Sequence, residues 1–166
     1  MPVSDQGVNL DRYMLVPRTL IFATQDDKVL LLKGAKSKRL WAGLFNGIGG
    51  HVEQGEDILS AAKRELEEET GLVAAHIWLC GIVTIDTQTN PGVCVYLFKA
   101  DSLEGKLKES DEGSLEWIPI SEINQLPLVS DLYALLPKIM ALEPGDKIIS
   151  AHSKYDTDGK LTINFG

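Results

Sequence analysis

Cysteine is scarce in this chain: Cys80 and Cys94 are the only two, and both sit inside apolar, strand-like runs with no metal-ligand spacing between them. That excludes a disulfide scaffold, disfavours zinc, and reads as reduced core residues of a cytoplasmic protein. Long hydrophobic runs are missing too. No apolar stretch nears the roughly 18 residues of a membrane span, and the N-terminus lacks a signal-peptide pattern, so no membrane partner is expected. Positive charge is the third shortage. Sixteen Lys and Arg against 24 Asp and Glu give a formal net charge of −8, which argues against a nucleic-acid polymer as partner, because backbone binding draws on basic patches. A small phosphate ester that brings its own cation meets much less repulsion.

What remains is an ordinary globular composition, 44% hydrophobic and 24% charged over 166 residues, the size of one domain spanning 1–166 with a loose polar segment at 1–11. No repeat or linker interrupts it. The sequence leaves monomer and homodimer both open.

The unusual feature is a concentration of acid between Gly50 and Leu72. Glu65, Glu68 and Glu69 follow a glycine-rich loop at spacings of three and four. On a helix turning about 100° per residue they share one arc, while Glu67 points elsewhere. Ile58, Leu59, Ala62 and Leu66 form an adjoining apolar stripe, so the helix buries one side and holds its acids at the border of the core. Acids at this spacing repel one another, and partial burial raises their pKa values unless a cation intervenes. Oxygen donors select Mg²⁺, Mn²⁺ or Ca²⁺. Mg²⁺ in particular binds through a few carboxylates together with substrate phosphates. Arg64, four residues before Glu68, is placed to orient it. Gly55, Glu56 and Asp57 bound the helix at its start and Gly71 at its end. Taken as a charge run alone, the segment would be a solvated helix face.

The remaining elements read as strands and helices in alternating groups. Tyr13–Thr24 and Lys28–Lys33 are β-rich and joined by a turn at 25–27, which predicts a hairpin. Residues 34–56 form a long glycine-rich connection, usually a functional one. Ala74–Asp86 and Val93–Ala100 read as strands around Asn90-Pro91-Gly92, and Leu115–Ile120 as another. Ser121 reads as the N-cap of a short helix, and a longer helix is expected near Ser130–Leu142, kinked or interrupted by Pro137. A closing hairpin is expected from 147–153 and 160–165. Strands, helix, strands, helix in that order fit an α+β class in which a mixed sheet carries helices on both faces.

The segment from Gly50 to Leu72 resembles, position for position, the box of the Nudix hydrolase superfamily. That box reads Gly, five residues, Glu, seven residues, Arg-Glu, an aliphatic residue, any residue, Glu-Glu, any residue, Gly, an aliphatic residue. Gly50, Glu56, Arg64, Glu65, Leu66, Glu68, Glu69, Gly71 and Leu72 fill all nine fixed places. The resemblance implies an α/β/α sandwich with a mixed sheet between helices and Mg²⁺-dependent cleavage of a nucleotide anhydride, with Mn²⁺ as the alternative ion. It places the metal on Glu65, Glu68 and Glu69, with the Gly49 or Gly50 carbonyl as a further ligand. Glu69 or Glu68 then serves as general base, Arg64 fixes the carboxylates, and Glu56 ties the loop to the helix. Family members also bring a late-loop carboxylate to the metal; Glu112 is the candidate here, against its reading as a solvated loop acid.

Outside the box, the stretch from Leu40 through Trp41, Phe45, Asn46 and Gly49-Gly50-His51-Val52 resembles the subgroup acting on oxidised purine nucleoside triphosphates, and the stretch from Glu109 to Trp117 does so too. There the residue matching Asn46 reads the purine edge, which an amide can do as donor and acceptor at once. Its competing reading is a turn residue before Gly47. Asp131 is a second base-reading candidate, competing with a role as helix cap. His51 stands where that subgroup usually has lysine. The expected substrate is thus a purine nucleoside triphosphate such as 8-oxo-dGTP, cleaved to monophosphate and pyrophosphate. The alternatives are ADP-ribose, a dinucleotide polyphosphate, or a nucleotide-binding regulator without catalysis. Asp156–Gly159 lacks the ligands of a calcium loop and reads as a hairpin turn. The stretch 34–38 fails the Walker spacing and reads as a basic surface loop.

Overall fold

The structure, a computed structural model, describes residues 2–37 and 40–166. Lys38, at the end of the stretch read as a basic surface loop, lies outside the described residues. In chain order the elements are β1 (Leu15–Gln25), β2 (Lys28–Gly34), β3 (Phe45–Asn46), α1 (Ile58–Thr70), β4 (Leu72–Asp86), β5 (Gly92–Gly105), β6 (Gly113–Pro119), α2 (Leu132–Ala141), β7 (Ile149–Tyr155) and β8 (Leu161–Phe165). Short 3-10 helices add Val3–Gln6, in the segment read as loose, and Ile120–Gln125.

The predicted β1–β2 hairpin exists only at its tip, where Thr24 opposes Val29 and Gln25 opposes Lys28. Beyond it the strands part. β1 runs parallel to β5 from Leu15 to Ala23, while β2 pairs antiparallel with β3 and β6. β4 lies antiparallel to β5 and parallel to β7, and β7 closes with β8. The order is β3-β2-β1-β5-β4-β7-β8 with β6 also on β2, a mixed sheet as expected.

Alternation along β1 assigns the two helix layers. Ile21 and Ala23 pack with Ala62 and Leu66 of α1, whereas Phe22 packs with Leu132, Leu135, Leu136 and Ile139 of α2. Successive side chains of a strand point to opposite faces, so one strand supplies both cores. Leu66 is 1% exposed, and its truncation to alanine would cost about 2–5 kcal/mol. Lys99 is only 6% exposed. Its Nζ donates to the Met140 and Leu142 carbonyls at 3.1 and 2.7 Å, where the last turn of a helix lacks intrahelical donors. It thereby pins α2 to β5.

Two expectations need correction. The short helix starts at Ile120 with no side-chain cap, so Ser121 does not cap it; the Ile120 N–H donating to the Asp27 carbonyl at 2.8 Å sets its start. Nor does Pro137 interrupt α2, the second half of the expected kink or interruption: the helix continues through it to Ala141. Proline removes one ladder bond, while the buried stripe of Leu132, Leu135, Leu136 and Ile139 holds the helix on both sides of it. The closing hairpin forms as expected. Asp156 Oδ1 accepts from the Asp158 and Lys160 N–H groups, a plain turn. Cys80 and Cys94 are buried and unpaired. No helix among the described residues is long and apolar enough to cross a membrane.

Candidate active site

Helix α1 is fixed at both ends by local chemistry. Asp57 Oδ1 accepts from the Leu59 and Ser60 N–H groups at 2.9 and 3.0 Å, and Ser60 Oγ donates to Asp57 Oδ2 at 2.6 Å. Those bonds, the Ser60 hydroxyl first, hold the Asp57 carboxyl below its ordinary pKa. At the far end Gly71 adopts φ 77 and donates to the Glu67 carbonyl. A methyl group there would sit 2.6 Å from the Lys106 carbonyl oxygen. The left-handed turn and the close approach both require glycine.

Arg64 organises the acids. Its Nε and Nη2 grip Glu56 Oε2 and Oε1 at 3.1 and 2.7 Å, Nη1 reaches Glu65 Oε1 at 2.9 Å and Glu68 Oε2 at 3.1 Å, and Nη2 also donates to the His51 carbonyl at 3.1 Å. A guanidinium has five N–H donors in a fixed fork, and these contacts use all of them. Arg64 is therefore a positioning group, with none of its donors left over for a substrate. Its pKa rises, through Glu56 first and Glu65 second. In return the Arg64 hydrogen bond, helped by the Glu53 N–H, holds Glu56 below its ordinary pKa. Glu56 thus ties loop to helix.

Glu65 lies against the glycine loop. A methyl group built on Gly50 would sit 2.5 Å from Glu65 Oε1, so only a bare Cα lets this carboxylate approach the backbone. The Gly50 carbonyl accepts the Thr19 N–H at 2.9 Å, which fixes the loop on β1. The Glu65 side chain is 12% exposed and that of Glu68 61%. Both reach the same Arg64 nitrogen. No three acids or histidines among the described residues are gathered as a finished metal cage. The donor set nevertheless fits a hard divalent cation: carboxylate oxygens converge on one point of positive charge, beside backbone carbonyls and away from sulfur.

Glu69 belongs to a second region. With Gly49 and Glu112 it borders a cavity of about 510 Å³. Leu20, Val83, Ile85, Val93, Val95 and Leu97 floor this cavity, and Asn46, Asp131 and Leu135 wall it. Asn46 stands in β3 opposite Leu32 and is not among the residues with positive φ, so the turn reading is corrected. Its Oδ1 accepts the Gly47 N–H at 2.9 Å. Asp131 precedes α2 but makes no side-chain capping bond, which corrects the expectation that it caps the helix. Burial raises its pKa, against the lowering effect of backbone N–H groups. His51 is exposed and is not among the residues lining the cavity. Glu112, in the turn before β6, is exposed yet on the cavity rim, and its carbonyl accepts the Ala35 N–H at 3.1 Å.

Sequence reading assigned no site role to much of the lining, Arg18, Trp41 and Tyr155 included. Arg18 had a usable signal, a cation inside the apolar run of β1 at the same register as Leu20. Trp41 and Tyr155 reach the cavity only through tertiary pairing, which no local pattern announces.

The profile of the NUDIX domain family matches residues 14–139. An oxidized purine nucleoside triphosphate hydrolase of Danio rerio is 39% identical over 106 residues, 63% of this chain and 67% of that protein. Its counterpart in Mus musculus is 37% identical over the same shares. Among solved structures, the crystal structure of a mutator MutT protein from Bacillus halodurans superposes with a TM-score of 0.79 at 29% identity, covering 91% of this chain and 97% of that one. With the box complete and the fold shared, the chain belongs to the Nudix hydrolase family.

Proposed function

We propose that this Nudix hydrolase is a Mg²⁺-dependent pyrophosphohydrolase of purine nucleoside triphosphates, oxidised purines such as 8-oxo-dGTP included, releasing nucleoside monophosphate and pyrophosphate. The observation that carries this reading is one cavity lined by two chemically distinct sets of residues. Glu69 and Glu112 are acids on it, and Asn46 with Asp131 offers an amide and a half-buried carboxyl to a base. The names of the Danio rerio and Mus musculus relatives support the same substrate class. Buried, unpaired Cys80 and Cys94 support a reducing, cytoplasmic setting.

Glu65, Glu68 and Glu69 would hold the ion, with the Gly49 or Gly50 carbonyl as a further oxygen. Bound there, Mg²⁺ supplies neutralisation of phosphate charge and orientation of a water. The rest falls to side chains. Glu69 or Glu68, with Glu112 as the alternative, accepts the proton of the attacking water. One oxygen–phosphorus bond forms, the anhydride bond between the α and β phosphates breaks, and the departing phosphate oxygen takes the electron pair. Arg64 keeps Glu56, Glu65 and Glu68 in register throughout. The Asn46 amide and the Asp131 carboxyl hydrogen-bond the purine edge.

The test is a turnover panel with Mg²⁺: dGTP, 8-oxo-dGTP, ADP-ribose and diadenosine polyphosphates. Pyrophosphate from the purine triphosphates, with 8-oxo-dGTP ahead of dGTP, is the expected result. Hydrolysis of ADP-ribose alone would refute the reading, and no turnover of any of them would favour a binding protein.

A further inference from the structure

We infer that Arg18 is a phosphate-binding cation of the cavity, set over the Trp41 ring; the inference rests on the nucleotide reading above. Arg18 sits in the middle of β1, paired with Val95 of β5 and bridged to His51. It shares its face of the strand with Leu20, and both line the cavity. Thr19 lines the cavity as well, while Ile21 packs into the core under α1. A half-buried guanidinium above valines needs partners. Yet no described residue hydrogen-bonds or ion-pairs with the Arg18 side chain. Its one contact of note is the Trp41 ring, 6.0 Å from guanidinium carbon to centroid. A cation–π contact uses none of a guanidinium's N–H donors for hydrogen bonding, so they are left to receive an anion.

The loop is built to keep that stack. Gly34 N–H donates to the Leu44 carbonyl at 3.0 Å, Gly43 N–H to the Gly34 carbonyl at 2.9 Å, and Leu44 N–H to the Trp41 carbonyl at 3.0 Å. Trp41 is held at φ 63, a conformation a bulky side chain seldom adopts. Charge assigns the ligand. Among the described residues lining the cavity, Arg18 is the positive side chain and Glu69, Glu112 and Asp131 are negative. In a chain of net charge −8, a polyphosphate needs a fixed cation beside whatever metal it carries. Place assigns the part of the ligand. Arg18 is bridged to His51, the residue after Gly50, and it lines the same cavity as Gly49, Glu69 and Glu112, so it stands on the glycine-loop side of the cavity.

The experiment compares wild type with Arg18→Ala, Arg18→Lys and Trp41→Leu. Arg18→Ala is expected to raise KM for the nucleoside triphosphate about ten- to hundredfold, leaving kcat within a few-fold and the melting temperature unchanged. Competitive inhibition by inorganic tripolyphosphate should weaken by the same factor, while inhibition by the free nucleoside stays as it was. Arg18→Lys keeps the charge and recovers part of the loss, and Trp41→Leu falls between. An unchanged KM overturns the inference, as does a loss confined to nucleoside inhibition, which would make Arg18 a base reader. Should Arg18→Ala misfold, Arg18→Lys and Trp41→Leu decide the matter by the same split. Calorimetric binding of tripolyphosphate keeps the two readings apart. If wild type hydrolyses no purine triphosphate but Arg18→Ala still binds tripolyphosphate more weakly than wild type, the substrate assignment fails and Arg18 stands.

Discussion

The acid-bearing face of α1 and the cavity beside it lie next to each other but are built in opposite ways. The first is local: Glu56, Arg64, Glu65 and Glu68 fall within thirteen residues and are locked by one guanidinium whose five donors are all engaged. The second is assembled from β1, β3, the loop before it, the start of α2 and the β7–β8 hairpin, and the Arg18 side chain has no polar partner there among the described residues. A region whose donors are all satisfied holds groups still for chemistry. A region with donors left over waits for a ligand. The division predicts that damage to the first changes rate and damage to the second changes choice.

The largest effect should come from the acids themselves. Glu68→Gln and Glu69→Gln are each expected to cut turnover by orders of magnitude while far-UV and near-UV dichroism stay native; activity within a few-fold of wild type for both would sink the assignment. Next come the groups that only position. Arg64→Ala and Gly50→Ala should each lower activity or metal affinity about 10- to 100-fold, the second by pushing the Glu65 carboxylate off the loop. A metal titration followed by turnover checks both. If either leaves activity intact, the locked region is scaffolding and nothing more.

How much of this contrast was legible in the sequence follows from the same physics. The α1 network was legible because i, i+3 and i+4 spacing on a helix is local geometry, and Asp57, Arg64 and Gly71 carry their roles within a few residues. The mixed sheet followed from the order of elements. Its pairing did not: the turn at 25–27 correctly predicted a tip, yet the long partners of β1 and β2 are β5 and β6, set by tertiary burial. Ser121 and Asp131 look like caps by residue type alone. At Ser121 a backbone bond to Asp27 does the work instead, and the Asp131 side chain faces the cavity. Pro137 looked like a break because a propensity rule ignores the buried leucines on both sides of it. Of the cavity, Asn46, Asp131, Glu112, Glu69 and Gly49 were visible as candidates, while its apolar lining was not, because distant strands converge there.

Two smaller effects sharpen the division. Asp131→Ala should raise KM for purine substrates about tenfold, and Asp131→Asn, which keeps a hydrogen-bonding side chain of the same size, should raise it less; equal losses would remove the hydrogen-bond account. The smallest effect concerns acid. Arg64 holds the folded Glu56 carboxyl below its ordinary 4.5, so the stabilisation it brings is present above that pH and lost as pH falls through the lower folded value. Glu56→Gln should therefore flatten the acid limb of a melting-temperature profile and leave its shape near neutrality. An acid limb as steep as in wild type would mean that Glu56 contributes nothing to it.

The most direct test of the division is the ratio of kcat/KM for 8-oxo-dGTP to that for dGTP, measured in wild type, Glu68→Gln and Asn46→Ala. Glu68→Gln should depress both values together and leave the ratio where it was, and Asn46→Ala should move the ratio with kcat less affected. A ratio that shifts in Glu68→Gln and holds in Asn46→Ala would contradict the account.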